Sequence, residues 1–216
     1  MISLLMNENP KSTGMVYAIC TGAILGLIGF EIIPEVLRDG GWTVVAAGFL
    51  AGVTLFWWIH LIFRFTSSPS VQTTIRPGIL LMAAIAVHNF PLGIMMGSGD
   101  HVDMSSALMK TLVLHNIPEG MILFMPLFAA GLKVGPMFVI STLIALPVGA
   151  GAVFGELLGL GNERLSAFLI SLSVGMIYRV AVKEIYPEAV RHSSNAYSLC
   201  IAVLSFLLMG LYLLLI

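Results

Sequence analysis

Charge is the scarcest thing in this sequence. Asp, Glu, Lys and Arg make up 10% of the 216 residues, whereas 58% are hydrophobic. An ordinary soluble domain carries about 25% charged residues. So few polar side chains cannot cover a water-facing surface, and the mean hydropathy of +1.01 points to lipid as the solvent. A net charge of −1 argues against nucleic acid as a partner. Cysteine is nearly absent as well. Cys20 and Cys200 sit inside apolar runs without metal-ligand or disulfide spacing. Long polar stretches are also missing, so residues 1–216 are expected to form a single membrane domain with no soluble domain. The opening MISLLMNENPKSTG is too polar for a signal peptide, and the N-terminus is expected to be the mature one.

What the chain does have is apolar segments of about 20 residues, the length that spans a bilayer as a helix. Seven are expected, at 15–37, 42–65, 77–98, 105–130, 134–160, 164–190 and 195–216, giving an all-α polytopic membrane protein. The breaks carry turn residues: Asp39-Gly40-Gly41, Ser67-Ser68-Pro69, Gly99-Asp100, Gly131 and Gly161-Asn162. With the N-terminus inside, Lys11, Arg64, Arg76, Lys133 and Arg191 face the cytoplasm, and Arg38, Lys110 and Arg164 face out. That excess favours N-in and C-out.

Two patterns occur twice. His88-Asn89-Phe90-Pro91-Leu92-Gly93 and His115-Asn116-Ile117-Pro118-Glu119-Gly120 share H-N-x-P-x-G on consecutive spans. Glu31-Ile32-Ile33-Pro34-Glu35 and Glu184-Ile185-Tyr186-Pro187-Glu188 match at four of five positions. In the expected topology both pairs lie on oppositely directed spans, and inverted repeats with broken helices mark many secondary transporters.

His88, His115 and Glu119 fall near the middle of their spans, where an ionisable group costs about 3 kcal/mol or more and suggests a function. His115 and Glu119, four apart, share a helix face and can grip one ion. Imidazole and carboxylate suit Zn²⁺ and Fe²⁺. Pro91 and Pro118 cannot donate to the carbonyls of Val87 and Leu114, so these and the amides of Asn89 and Asn116 become oxygen donors. Gly93 and Gly120 are expected to let the two helices approach. The plain alternative is that each histidine is a hydrogen-bonded core residue.

These residues resemble the ZIP family of metal-ion transporters, which carry an H-N-x-P-E-G-like motif on one helix and a related motif on the next. The resemblance implies His88, His115 and Glu119 as metal ligands, with Asn89 and Asn116 able to join them. It extends to Gly22 through Glu35, similar to the family's second helix, and Gly175 through Ala189, similar to its seventh. It implies a 2+2+3 arrangement in place of the family's usual three, two, three, with the first helix missing. Leu92 stands where the family commonly has a metal-bridging Glu, and Leu146 where many members have Glu before Pro, so one intramembrane ion is expected rather than two. The implied substrate, bound rather than resident as a cofactor, is Zn²⁺ first, with Fe²⁺, Mn²⁺, Co²⁺ and Cd²⁺ as other candidates. The expected action is alternating-access transport toward the cytoplasm across the cell (plasma or inner) membrane, without enzymatic activity. Partners are the metal ion and the lipid bilayer, with a homodimer as a candidate assembly.

Other polar residues bear on this. Asp100, His101 and Asp103 form either a metal-collecting mouth or a solvated turn. Met95, Met96, Met121 and Met125 flank the motifs, where packing is the simpler role. Arg179 and Lys183 need carboxylate partners, with Glu31, Glu35 or Glu184 as candidates, and cations facing the route would oppose cation passage. They keep a second reading open, a metal-binding sensor or partner subunit that moves nothing. A zinc hydrolase lacks a candidate base beyond the Asp100–Asp103 loop.

Overall fold

The computed structural model describes residues 10–66, 76–98, 116–121, 123–124, 133–158 and 162–215. Helix α1, Pro10–Leu27, runs through a π turn at Ile28–Ile32 into α2, Ile33–Thr66. Then come α3, Arg76–Gly97, and α4, Val134–Leu158. Helix α5, Glu163–Val180, runs through a second π turn, Ala181–Ile185, into α6, Tyr186–His192. Helix α7 is Asn195–Leu215. Residues 116–121 are helical too, and the described residues contain no strand.

Four stretches among the described residues are long and apolar enough to cross a bilayer: Lys11–Ile62, Val134–Leu157, Glu163–His192 and Asn195–Leu215. Ile85–Gly97 is a shorter apolar helix. The expected fourth span, 105–130, lies outside the described residues except for 116–121 and 123–124, as do Asp100, His101 and Asp103.

Local chemistry accounts for the breaks. A straight helix over Lys11–Ile62, 52 residues, would be about 78 Å long, more than twice an apolar bilayer core. It divides at Gly41, whose φ of 71° and ψ of 167° lie where a side chain is rarely tolerated. Helix α5 starts at Asn162, whose Oδ1 accepts from the Arg164 and Leu165 amides at 2.9 and 3.4 Å, capping two otherwise orphaned donors.

The E-I-x-P-E repeat is also a repeat of backbone form. Glu31 and Glu184 each occupy the fourth position of a five-residue π turn, and each proline follows the turn by two residues. In both, the bond spans five residues: the Ile33 amide donates to the Ile28 carbonyl, and the Tyr186 amide to the Ala181 carbonyl. A proline withholds the amide that an α-helical register needs, and a π turn is one way to absorb that loss.

Lipid supplies little drive for helices to associate, so close approach must come from small residues. Gly93 and Gly97 of α3 face the Val148 and Ala152 carbonyls of α4, while Gly151 and Gly155 of α4 face the carbonyls of Phe90 and Ile94. Gly48 and Gly52 of α2 meet the Phe168 and Leu172 carbonyls of α5, and Gly175 returns the contact at Phe49. Gly22 and Gly26 of α1 lie against Ala202 and Met209 of α7. At these positions a side-chain carbon would collide with a neighbouring helix. Gly93, expected with Gly120 to let the two motif helices approach, packs on α4, and Gly120 has no described atom within 4 Å of where its Cβ would stand.

The buried core, including Ile24, Leu27, Val36, Phe56, Met176 and Ile185, lies between α1, α2 and α5. Helices α4 and α7 turn Phe138, Leu143, Phe154, Leu204, Leu208 and Leu211 outward, as a lipid-facing surface requires. Several hydroxyls satisfy themselves within their own helix: Thr21, Thr54, Ser98, Ser141 and Thr142 each donate to the carbonyl four residues back.

Candidate metal site

His88 stands on α3 three residues before Pro91, with 1% of its surface exposed; Glu119, at 3%, comes from the helical stretch 116–121. Their side chains converge, with His88 Nε2 3.4 Å from Glu119 Oε1. Two metal bonds of about 2.1 Å meeting at a tetrahedral angle hold their donor atoms about 3.4 Å apart. The separation would fit the bite of a four-coordinate Zn²⁺ or a similar ion.

Several oxygens at this pair are left unsatisfied among the described residues. Both Glu119 carboxylate oxygens and the Asn89 Oδ1 are buried without a hydrogen-bond partner among the described residues. A buried oxygen acceptor with nothing to accept from costs about 1–3 kcal/mol, and more if charged. Such a group persists where something outside the protein completes it. A divalent cation does so for carboxylate, amide oxygen and imidazole alike.

Two cavities lie along this stretch of α3. One, of about 460 Å³, is lined by Asn89, Asn116, Glu119 and Ser141 together with apolar residues of α3 and α4. The other, of about 30 Å³, is almost wholly apolar, with Ile24, Leu27, Ile28 and Ile177 facing His88 and Leu92, and Glu35 also on its wall. Neighbouring letters on one helix thus face different spaces, His88 the narrow one and Asn89 the wide one.

Of the sequence-derived candidates, the structure brings together His88 and Glu119 and lines the adjoining cavity with Asn89 and Asn116. His115 lies outside the described residues. Among the described residues no cluster of three His, Cys, Asp or Glu side chains forms. Leu92 does face the site, on the apolar side. Leu146 is 58% exposed and lines an outer depression with Thr142 and Pro147, while Ala145, Val148 and Gly149 line the wide cavity.

Arg179 and Lys183 are expected to find their carboxylate among Glu31, Glu35 and Glu184. Glu184 lies with its Oε1 3.4 Å from His60 Nδ1, and among the described residues the Arg179 Nε is buried without a hydrogen-bond partner. His60 carries no motif in the sequence; its role emerges only when α2 packs on the α5 side of the molecule. Ser173 was also illegible. Its hydroxyl, on α5, donates to the His88 carbonyl at 2.5 Å.

A buried imidazole–carboxylate pair in an apolar helical chain agrees with the comparisons to known proteins. Residues 66–216 match the family model of the ZIP zinc transporters. The chain belongs to the ZIP family. It is 25% identical over 116 residues to zinc transporter ZIP10 of Danio rerio, covering 53% of this chain and 14% of that protein. It is 24% identical over 211 residues to a protein named as a candidate zinc transporter in Arabidopsis thaliana, covering 91% of this chain and 33% of the relative. The chain thus spans a third or less of the length of these relatives. ZIP proteins are transporters rather than enzymes, and the apolar helices make this member an integral membrane protein.

Proposed function

We propose that this ZIP protein carries a divalent transition-metal ion, Zn²⁺ first, across the membrane toward the cytoplasm. His88 and Glu119 hold the ion, with His115 as a further ligand and Asn89 or Asn116 or water completing the shell. The observation that carries the reading is the buried His88 Nε2–Glu119 Oε1 pair at 3.4 Å, with both Glu119 oxygens and the Asn89 Oδ1 buried without a hydrogen-bond partner among the described residues.

The chemistry follows from the donors. An ion entering the wide cavity exchanges its water for Glu119 and His88, and the low dielectric strengthens each bond. Leu92 gives the apolar side nothing to coordinate with, so one ion is held at a time. Release requires the helices bearing the ligands to shift against the others, in the manner of transporters built on seven spans with inverted 2+2+3 repeats. The E-I-x-P-E pair, with matching π turns, supports that ancestry. A homodimer in the cell membrane is the expected assembly.

The test is Zn²⁺ flux in proteoliposomes. Wild-type protein moves Zn²⁺, and His88→Ala and Glu119→Ala each lower the initial rate by at least about tenfold. Mutant proteins transporting at the wild-type rate would overturn the assignment.

A further inference from the structure

Helix α3 is held in two different ways on its two sides. On the α4 side, Gly93 and Gly97 put it backbone to backbone with Val148 and Ala152. On the α5 side it meets side chains, and there the narrow apolar cavity opens between His88, Leu92, Ser173, Val174 and Ile177. The Ser173–His88 hydrogen bond crosses this second boundary, between residues 85 apart in sequence and both almost fully buried. Unlike Ser98 or Ser141, which donate within their own helices, Ser173 donates to the main chain of the helix that carries the ligand. In an apolar interior a hydroxyl that loses such an acceptor finds no water to replace it, so the bond favours the arrangement that contains it.

We propose that Ser173 is a positioning residue for the metal site. Its bond to the His88 carbonyl clamps α3 against α5, sets the height of the imidazole opposite Glu119, and keeps the apolar cavity beside Leu92 shut. The inference rests on His88 holding the transported ion, but the clamp itself can be read without any metal.

Ser171 supplies the control. It is on the same helix, is equally buried, and its hydroxyl has no hydrogen-bond partner among the described residues. Replacing either serine by alanine removes one atom and creates no clash. In a background with Cys20→Ser and Cys200→Ser, a Leu92→Cys reporter is labelled with a small membrane-permeant thiol reagent in metal-free buffer. One buried hydrogen bond corresponds to about a fivefold change in an equilibrium. Ser173→Ala is expected to raise the labelling rate about fivefold, and Ser171→Ala to leave it unchanged. In Zn²⁺ flux with the native Leu92, Ser173→Ala raises KM about fivefold with the maximal rate within about twofold, and Ser171→Ala moves neither. Equal labelling rates for the two alanine variants overturn the clamp. Unequal labelling in a protein that moves no Zn²⁺ leaves the clamp standing and overturns the transport reading.

Discussion

Among the described residues, two histidine–glutamate pairs share one separation and differ in their surroundings. His88 and Glu119 stand 3.4 Å apart with 2% and 3% of their side chains exposed; His60 and Glu184 stand 3.4 Å apart with 41% and 19% exposed. Distance alone does not distinguish them, whereas burial does. Around His60 and Glu184, water or lipid headgroups can screen the carboxylate, so the pair can form and dissolve at little cost. Around His88 and Glu119 burial removes most of that screen, and oxygens unsatisfied among the described residues give the site a reason to take up an ion.

The comparison can be broken most directly at Glu119. Glu119→Gln keeps the shape and removes the charge, and equilibrium Zn²⁺ binding to the purified protein is expected to weaken about a hundredfold. Asn89→Ala removes one oxygen from the same surroundings, and about a tenfold loss in affinity, measured by competition with a zinc-sensitive dye, would show that the amide contributes. At the exposed pair the same neutralisation should matter least: Glu184→Gln is expected to change Zn²⁺ flux by no more than about fivefold and leave equilibrium affinity within about twofold. A loss at Glu184 as large as that at Glu119 would erase the distinction drawn from burial.

Much of this was legible in the letters, and the reasons are local. Gly41 and Asn162 announce helix breaks because one backbone conformation needs glycine and one cap needs a short polar side chain. His88 and Glu119 stand out because ionisable groups are costly in the middle of apolar spans. What the letters could not show is pairing between distant segments. Nothing near His60 points to Glu184, and nothing near Ser173 points to a carbonyl 85 residues away. The partner of Gly93 was hidden for the same reason. Small residues announce that some helix comes close, and only the packing reveals that the partner of Gly93 is α4. The E-I-x-P-E repeat was visible as spelling, while its π turns were not, since proline permits several backbone solutions.

Each π turn acts as a vernier. One residue more or less alters the length of a helix by about 1.5 Å, yet it rotates everything beyond by about 100°. Adding a residue to the α-helical turn just before Ile28, where no further π turn takes it up, would therefore leave α2 as long and as apolar as before, still able to insert, but would swing Glu35 off the wall of the narrow cavity. In such a chain the aim of a side chain is a matter of counting, and a frame of one residue is enough to point a carboxylate at the bilayer instead of at its path.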